Sequence, residues 1–322
     1  MSASITGSGS SEIQASLKTL NLTKKFGERV SVDNLNLTIY PGELYALLGD
    51  NGAGKTTTIG MLTTLLSPTS GSFYVCGFDG LKQSNKIRGL FGVVSQDVSV
   101  YNELTVYENL RFLAELYGIK SSQIDARIGQ LLAGTSLLDR LNERAGNLSG
   151  GMQRRLSIAC AMVNSPKVLF MDEPTVGLDP AARREIWASL KDLKKLGVTI
   201  LLTTHYLEEA ELLADRIGII RAGRLTAEGT VHELAERIAG MRGLSIKLLD
   251  TVKVEETCAD LSAKVERLKA KFKAAQNIQV RFDNLRNTLY LSQPEDVAQF
   301  DYLHTVFDWL KEEGLPLSLI HI

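Results

Sequence analysis

Between the apolar run GELYALLG (42–49) and the helix-like KTTTIGMLTTLL (55–66), the chain reads Gly49-Asp50-Asn51-Gly52-Ala53-Gly54-Lys55-Thr56. This is GxxxxGK[ST] between a strand and a helix, a setting that commits the chain to an α/β fold built around a phosphate-binding loop. The glycines let backbone N–H groups close on phosphate oxygens, and the following helix N-terminus adds positive potential. Gly49, Asn51, Gly52, Ala53, Gly54 and Thr57 are therefore expected to cradle a nucleotide. Lys55 is expected to reach the β- and γ-phosphates, and Thr56 to offer its hydroxyl to Mg²⁺. A glycine turn capping an ordinary helix would need no such context.

Two further apolar runs, KVLFM (167–171) and VTILLTT (198–204), read as central strands buried on both faces. AARREIWASLKDLKKLG lies between them with helical spacing and closes on Gly197. Strand, helix, strand predicts a parallel sheet. The first run ends in Asp172-Glu173, where such a sheet places its chemistry. Asp172 is suited to hold Mg²⁺, directly or through water, and Glu173 to polarise an attacking water. Alone, two acids after a strand are more often a helix cap; the phosphate loop upstream changes that reading.

Between these motifs stands Leu148-Ser149-Gly150-Gly151-Met152-Gln153, 24 residues before Asp172. It resembles the signature motif of ATP-binding cassette (ABC) proteins, and other marks of that family follow in order. Gln96 in VVSQD resembles the Q-loop, Val176-Gly177-Leu178-Asp179 the D-loop, His205 in TTHYLEEAE the switch histidine, and Phe26 in KKFGE the aromatic that stacks on adenine. The resemblance spans residues 17–238. It implies an ABC ATPase domain, with a RecA-like core, an antiparallel β subdomain and a helical subdomain. It also implies roles: Gln96 and His205 beside Glu173 and Lys55 in catalysis, Gln96 as a further Mg²⁺ contact, and Ser149, Gly150, Gly151 and Asp179 in binding ATP across a dimer of two ATPase subunits, more plausibly two copies. Met152 stands where the family most often has Gln, Phe26 where Tyr is more usual, and Asp50 is an acid inside the loop, expected to point outward.

YNELTVYENL (101–110), the GLDP segment and the extension after Gly240 are similar to the drug-resistance and polyketide-export branch, which implies a separate integral-membrane permease. The stretch Val98–Leu113, with Tyr101, Tyr107 and Phe112, is a candidate permease dock or an ordinary amphipathic helix from Thr105. A soluble ABC ATPase acting on ribosomes or DNA is the alternative. A net charge of -1 gives no footprint for nucleic acid. Only 94 residues separate Lys55 from Ser149, and they hold no sustained heptads of the kind found in DNA-maintenance relatives.

Residues 1–16, rich in Ser and Gly, are expected to form a flexible tail, 17–239 the nucleotide-binding domain, and 240–322 a small accessory domain. In the last, LSIKLL (244–249), a helical face at Cys258, Leu261, Val265, Leu268 and Phe272, QVRF (279–282) and NTLYLS (287–292) around a turn at 283–286, a helix at Phe300–Leu310 and LPLSLIHI (315–322) give βαββαβ, a ferredoxin-like α+β order. No apolar run approaches the ~18 residues that span a bilayer. The N-terminus lacks a signal-peptide pattern, and three scattered cysteines suit a reducing compartment. A cytoplasmic protein, peripheral on the inner face of the membrane, is the expectation.

Overall fold

The computed structural model describes residues 14–234, then 243–248, 280–283, 288–292 and 317–321 together with Arg267 and Asp308. The chain divides into two units, Met1–Val231 and His232–Ile322. The first opens on an antiparallel hairpin, β1 (Leu17–Phe26) and β2 (Arg29–Ile39). Next, β3 (Leu44–Leu48) enters a second sheet and passes through the loop at 49–54 into α1 (Lys55–Leu62). The strands β4 (Ser70–Val75) and β5 (Phe78–Asp79) return to the first sheet, which has the order β2-β1-β4-β5. After the short α2 (Ser84–Ile87), β6 (Phe91–Val94) joins the second sheet. A helical layer follows, made of α3 (Val106–Leu116), α4 (Ser121–Leu132) and α5 (Gly150–Ala161). The chain then runs through β7 (Val168–Asp172), α6 (Pro180–Lys195), β8 (Thr199–Thr204), α7 (Leu207–Leu213), β9 (Arg216–Arg221) and β10 (Arg224–Gly229). The second sheet has the order β10-β9-β3-β8-β7-β6, parallel except for β10.

The period of two along the central strands explains why their runs are apolar throughout. On β7, Val168 and Phe170 join one core with Leu201 of β8 and residues of α1 and the antiparallel sheet. Leu169 and Met171 join a second core on the opposite face, with Ile200, Leu202 and the α6 residues Ile186, Trp187 and Leu190. Each face is covered, so every side chain is buried and alternation with polar residues disappears. The helical layer has its own core, with Val106, Leu110 and Ala114 of α3 packed among Ile124, Ile128, Leu132 and Leu156. Thr105 and Glu108 form a capping box that starts α3 where the sequence places it.

Parallel pairing brings the carboxyl ends of these strands to one edge. Leu48 lies level with Thr204, Asp172 with Thr203, and Val94 with Met171. The residues that follow, Gly49, His205, Glu173 and Gln96, consequently gather at the same rim. This is where an open α/β sheet takes a ligand.

Ser16, assigned by composition to the flexible tail, is instead buried. Its N–H bonds the Ile39 carbonyl at 2.9 Å, and its hydroxyl accepts from Thr199 at 3.0 Å. In the second unit, β11 (Gly243–Leu248), β12 (Val280–Asp283), β13 (Thr288–Ser292) and β14 (Leu317–His321) pair antiparallel in the order β12-β13-β11-β14. That is the strand order of a βαββαβ sheet. The two expected helices and the turn at 284–286 lie outside the described residues, apart from Arg267 and Asp308, which are helical.

Candidate active site

The loop at 49–54 is shaped by what a side chain would strike. A Cβ on Gly54 would lie 2.5 Å from the Ser31 carbonyl oxygen, and one on Gly49 2.4 Å from that of Ile220. Gly54 also has φ +108°, where a side chain is strained. The loop thus holds a cradle of bare backbone, and α1 begins at its rim with Lys55. Asp50 is exposed and stands outside the lining, as its charge requires.

Over this cradle lies a cavity of about 360 Å³. Its lining brings together Asn51, Gly52, Gly54, Lys55, Thr56 and Thr57 of the loop and α1 with Gln96, Glu173 and His205, and adds Arg29, Ser31 and Val176. Glu173 is the hub. Its Oε1 is 3.0 Å from the Lys55 ammonium, and its Oε2 is 3.0 Å from His205 Nδ1. Lys55 also donates to the carbonyls of Gly49 at 2.6 Å and Asp50 at 3.0 Å. With a carboxylate as partner, Nδ1 carries the imidazole proton, so Nε2 is the ring nitrogen left to accept.

Glu173 holds a left-handed backbone, φ +45°. Such a conformation costs a non-glycine residue about 1–2 kcal/mol, and persists where its surroundings over-determine it. Here the Glu173 N–H is held by both the carbonyl and the hydroxyl of Thr203, each at 3.1 Å.

Asp172 is buried behind Glu173 and is not part of the cavity lining. Its Oδ1 accepts from the Thr203 hydroxyl at 2.5 Å, which leaves Oδ2 for another partner. Thr56, Gln96 and Asp172 form an all-oxygen donor set, which suits a hard cation that keeps several waters and phosphate ligands. Among the described residues no group of three or more His, Cys, Asp or Glu side chains could hold a metal by itself.

The remaining expected residues lie away from the lining. Phe26, at the hairpin end of β1, is 49% exposed, with the Lys24 ammonium 5.1 Å from its ring centre. Ser149 and Gly150 are exposed at the start of α5, where the Ser149 hydroxyl accepts from the Met152 N–H; Gly151 is buried against Ala182. Asp179 caps α6, accepting from Ala181 at 2.9 Å and Ala182 at 3.0 Å. Those N–H groups, Ala182 foremost, hold its carboxyl below the usual range.

Comparison with known proteins then fixes the family. Residues 32–176 match the ABC transporter family. The Nod factor export ATP-binding protein I of Cupriavidus metallidurans is 42% identical over 252 residues, covering 78% of this chain and 83% of that one. The chain belongs to the ABC transporter family. The linearmycin resistance ATP-binding protein LnrL of Bacillus subtilis is 39% identical over 70% of this chain and 72% of its own length. Among solved structures, cbiO1 of Clostridium perfringens, part of the ABC transporter complex cbiONQ, superposes with a TM-score of 0.64 at 26% identity, covering 80% of this chain and 99% of that one. The protein is thus an ABC ATPase that binds and hydrolyses ATP.

Three residues of this ABC ATPase have no motif to announce them. Arg29 and Ser31 reach the cavity because β2 crosses beside α1, where Ser31 and Thr57 share a hydroxyl hydrogen bond of 2.9 Å. Thr203 is fully buried and serves both acids at the end of β7, Asp172 and Glu173. Thr203→Val keeps its shape but leaves the buried Asp172 carboxylate without its donor. We expect a loss of about 1–3 kcal/mol in urea unfolding, with Thr203→Ser close to wild type. Equal stability of the Val variant would show that the hydroxyl is not needed.

Proposed function

We propose that this chain is the ATPase subunit of an ABC exporter and drives a separate integral-membrane permease. The export and resistance names borne by its relatives support an exporter over a soluble ATPase acting on ribosomes or DNA. Among the described residues no helix is long and apolar enough to cross a membrane; the partner proposed to do so is the permease. A working place on the inner face of the membrane follows from that partner. Tyr101 and Phe112, 53% and 42% exposed and packed edge to face at 5.3 Å, offer that partner an apolar contact. None of the site residues expected from the sequence falls within 240–322, which is read as an accessory domain.

The observation that carries the mechanism is the position of Glu173 between Lys55 and His205 at the cavity wall. In hydrolysis, water oxygen bonds to the γ-phosphorus as the bond to the β–γ bridging oxygen breaks, and the water proton passes to the Glu173 carboxylate. His205 fixes the carboxylate through Nδ1–H and presents Nε2 to the same region. Lys55 and the backbone cradle take the phosphate charge. Thr56, Gln96 and Asp172 would hold Mg²⁺, which when bound neutralises phosphate oxygens. Phe26 offers a face for the adenine ring. Ser149, Gly150, Gly151 and Asp179 serve the nucleotide of a second subunit, most simply another copy.

The test is affinity capture of the full chain from detergent-solubilised membranes of its own cell. A multi-span membrane protein should co-purify in proportion to the chain. Ribosomal proteins in its place would overturn the exporter reading.

A further inference from the structure

Residues 95–99 leave β6 and carry Gln96 to the cavity. Their own bonds are internal: the Ser95 hydroxyl meets Ser99 Oγ at 2.6 Å and the Asp97 carbonyl at 3.0 Å. Among the described residues, the hydrogen bonds that reach this segment from another element come from Arg154, whose two terminal nitrogens donate to the carbonyls of Ser95 and Gln96. Arg154 stands on the second turn of α5, the helix capped by Ser149, and is 2% exposed.

A guanidinium fork can bond two successive carbonyls at once, whereas an ammonium is a point donor. Burial pulls the Arg154 side chain below its ordinary pKa, and Asp97 offsets only part of that. Its Nε has no partner among the described residues. A buried cation held with one N–H unmatched is a poor device for stability alone, because that group has lost water and gained nothing.

We infer that Arg154 is a positioning residue for hydrolysis: by gripping the Ser95 and Gln96 carbonyls from α5, it sets how the Gln96 amide enters the nucleotide cavity and ties that placement to the helix that presents Ser149. The inference rests on Gln96 facing the nucleotide, as proposed above. It assigns Arg154 no contact with ATP, so its loss should act on kcat and leave nucleotide affinity near wild type.

The test is a double-mutant cycle on the purified full chain with Arg154→Met, Gln96→Ala and the pair, joined by Arg154→Lys in case the Met variant misfolds. Displacing a reacting group by about 1 Å costs up to ~100-fold in rate, so Arg154→Met should lower kcat at least about tenfold. In the Gln96→Ala background the same change should cost no further kcat, although any loss of thermal stability should persist. Hydrogen exchange locates the effect: amides at 95–101 should exchange faster in Arg154→Met while α5 stays protected, and the kcat coupling to Gln96 is the readout a merely structural role would not move. Unchanged exchange at 95–101, or kcat losses that multiply in the double variant, would overturn the inference. Wild-type turnover by Gln96→Ala with loosened 95–101 amides would instead remove the catalytic reading of Gln96 and leave the grip.

Discussion

Glu173→Gln should bind ATP with near wild-type affinity and hydrolyse it about 10²–10⁴ times more slowly, the span over which a positioned general base contributes. The affinity should hold because the cation that meets the phosphates loses little. Lys55 keeps the carbonyls of Gly49 and Asp50, and an amide oxygen in place of the carboxylate can still accept from His205 Nδ1–H. What disappears is an acceptor for the water proton. The backbone need not change, since the strained turn at Glu173 is fixed by Thr203 through the main-chain N–H and not through the side chain. Nucleotide titration and a phosphate-release assay on the same preparation decide the matter. Hydrolysis near the wild-type rate would show that the base is another group.

The second large effect concerns Ser149. In one chain this residue caps α5 and stands outside the lining of the cavity that holds Lys55. If ATP lies between Lys55 of one subunit and Ser149 of another, Lys55→Ala and Ser149→Arg should each abolish turnover of a symmetric dimer. Mixing the two dead variants should restore it. A mixed dimer joins the intact Lys55 of one chain to the intact Ser149 of the other, which rebuilds one site and leaves the second doubly defective. Random exchange at equal amounts puts about a quarter of all sites in the intact form, because the interface is the same patch on both copies. Hydrolysis by each variant and by the mixture is the measurement. No recovery from mixtures shown to contain mixed dimers would exclude a shared site that works singly. Covalently linked wild-type and mutant chains would then show whether both sites must be intact.

Much of the architecture could be read from the chain because its central strands are buried on both faces. KVLFM and VTILLTT lack regular polar alternation, the pattern expected of short strands in a sheet covered on each side. The loop at 49–54 was legible for a different reason: bare backbone next to Ser31 and Ile220 demands glycine, so geometry is written directly as residue type. Arg29 and Ser31 were not legible, since nothing local records that β2 passes beside α1. Thr203 hides beside Thr204 at the end of an apolar strand; it could be found only by knowing that it pairs with Asp172 across the sheet. Arg154 did leave a trace, since it shares a helical face with the buried Gly151, Ser157 and Ile158, and a cation on such a face needs acceptors. Nearer the N-terminus, the expected tail took in Ser16, because one buried serine has no weight against a Ser-rich stretch.

The ion pair between Lys55 and Glu173 makes the chemistry conditional on its own fuel. As long as the ammonium sits on the carboxylate, the base is neutralised and a stray water meets a weak proton acceptor. In the proposed mechanism a triphosphate would draw Lys55 onto its oxygens and in the same movement free Glu173 Oε1. Two phosphates provide less negative charge at that point than three, so the diphosphate product is a poorer key than the substrate. On that reading the contact would act as an interlock: the trigger is released by the charge of the cartridge it will fire, and falls back when that charge has gone.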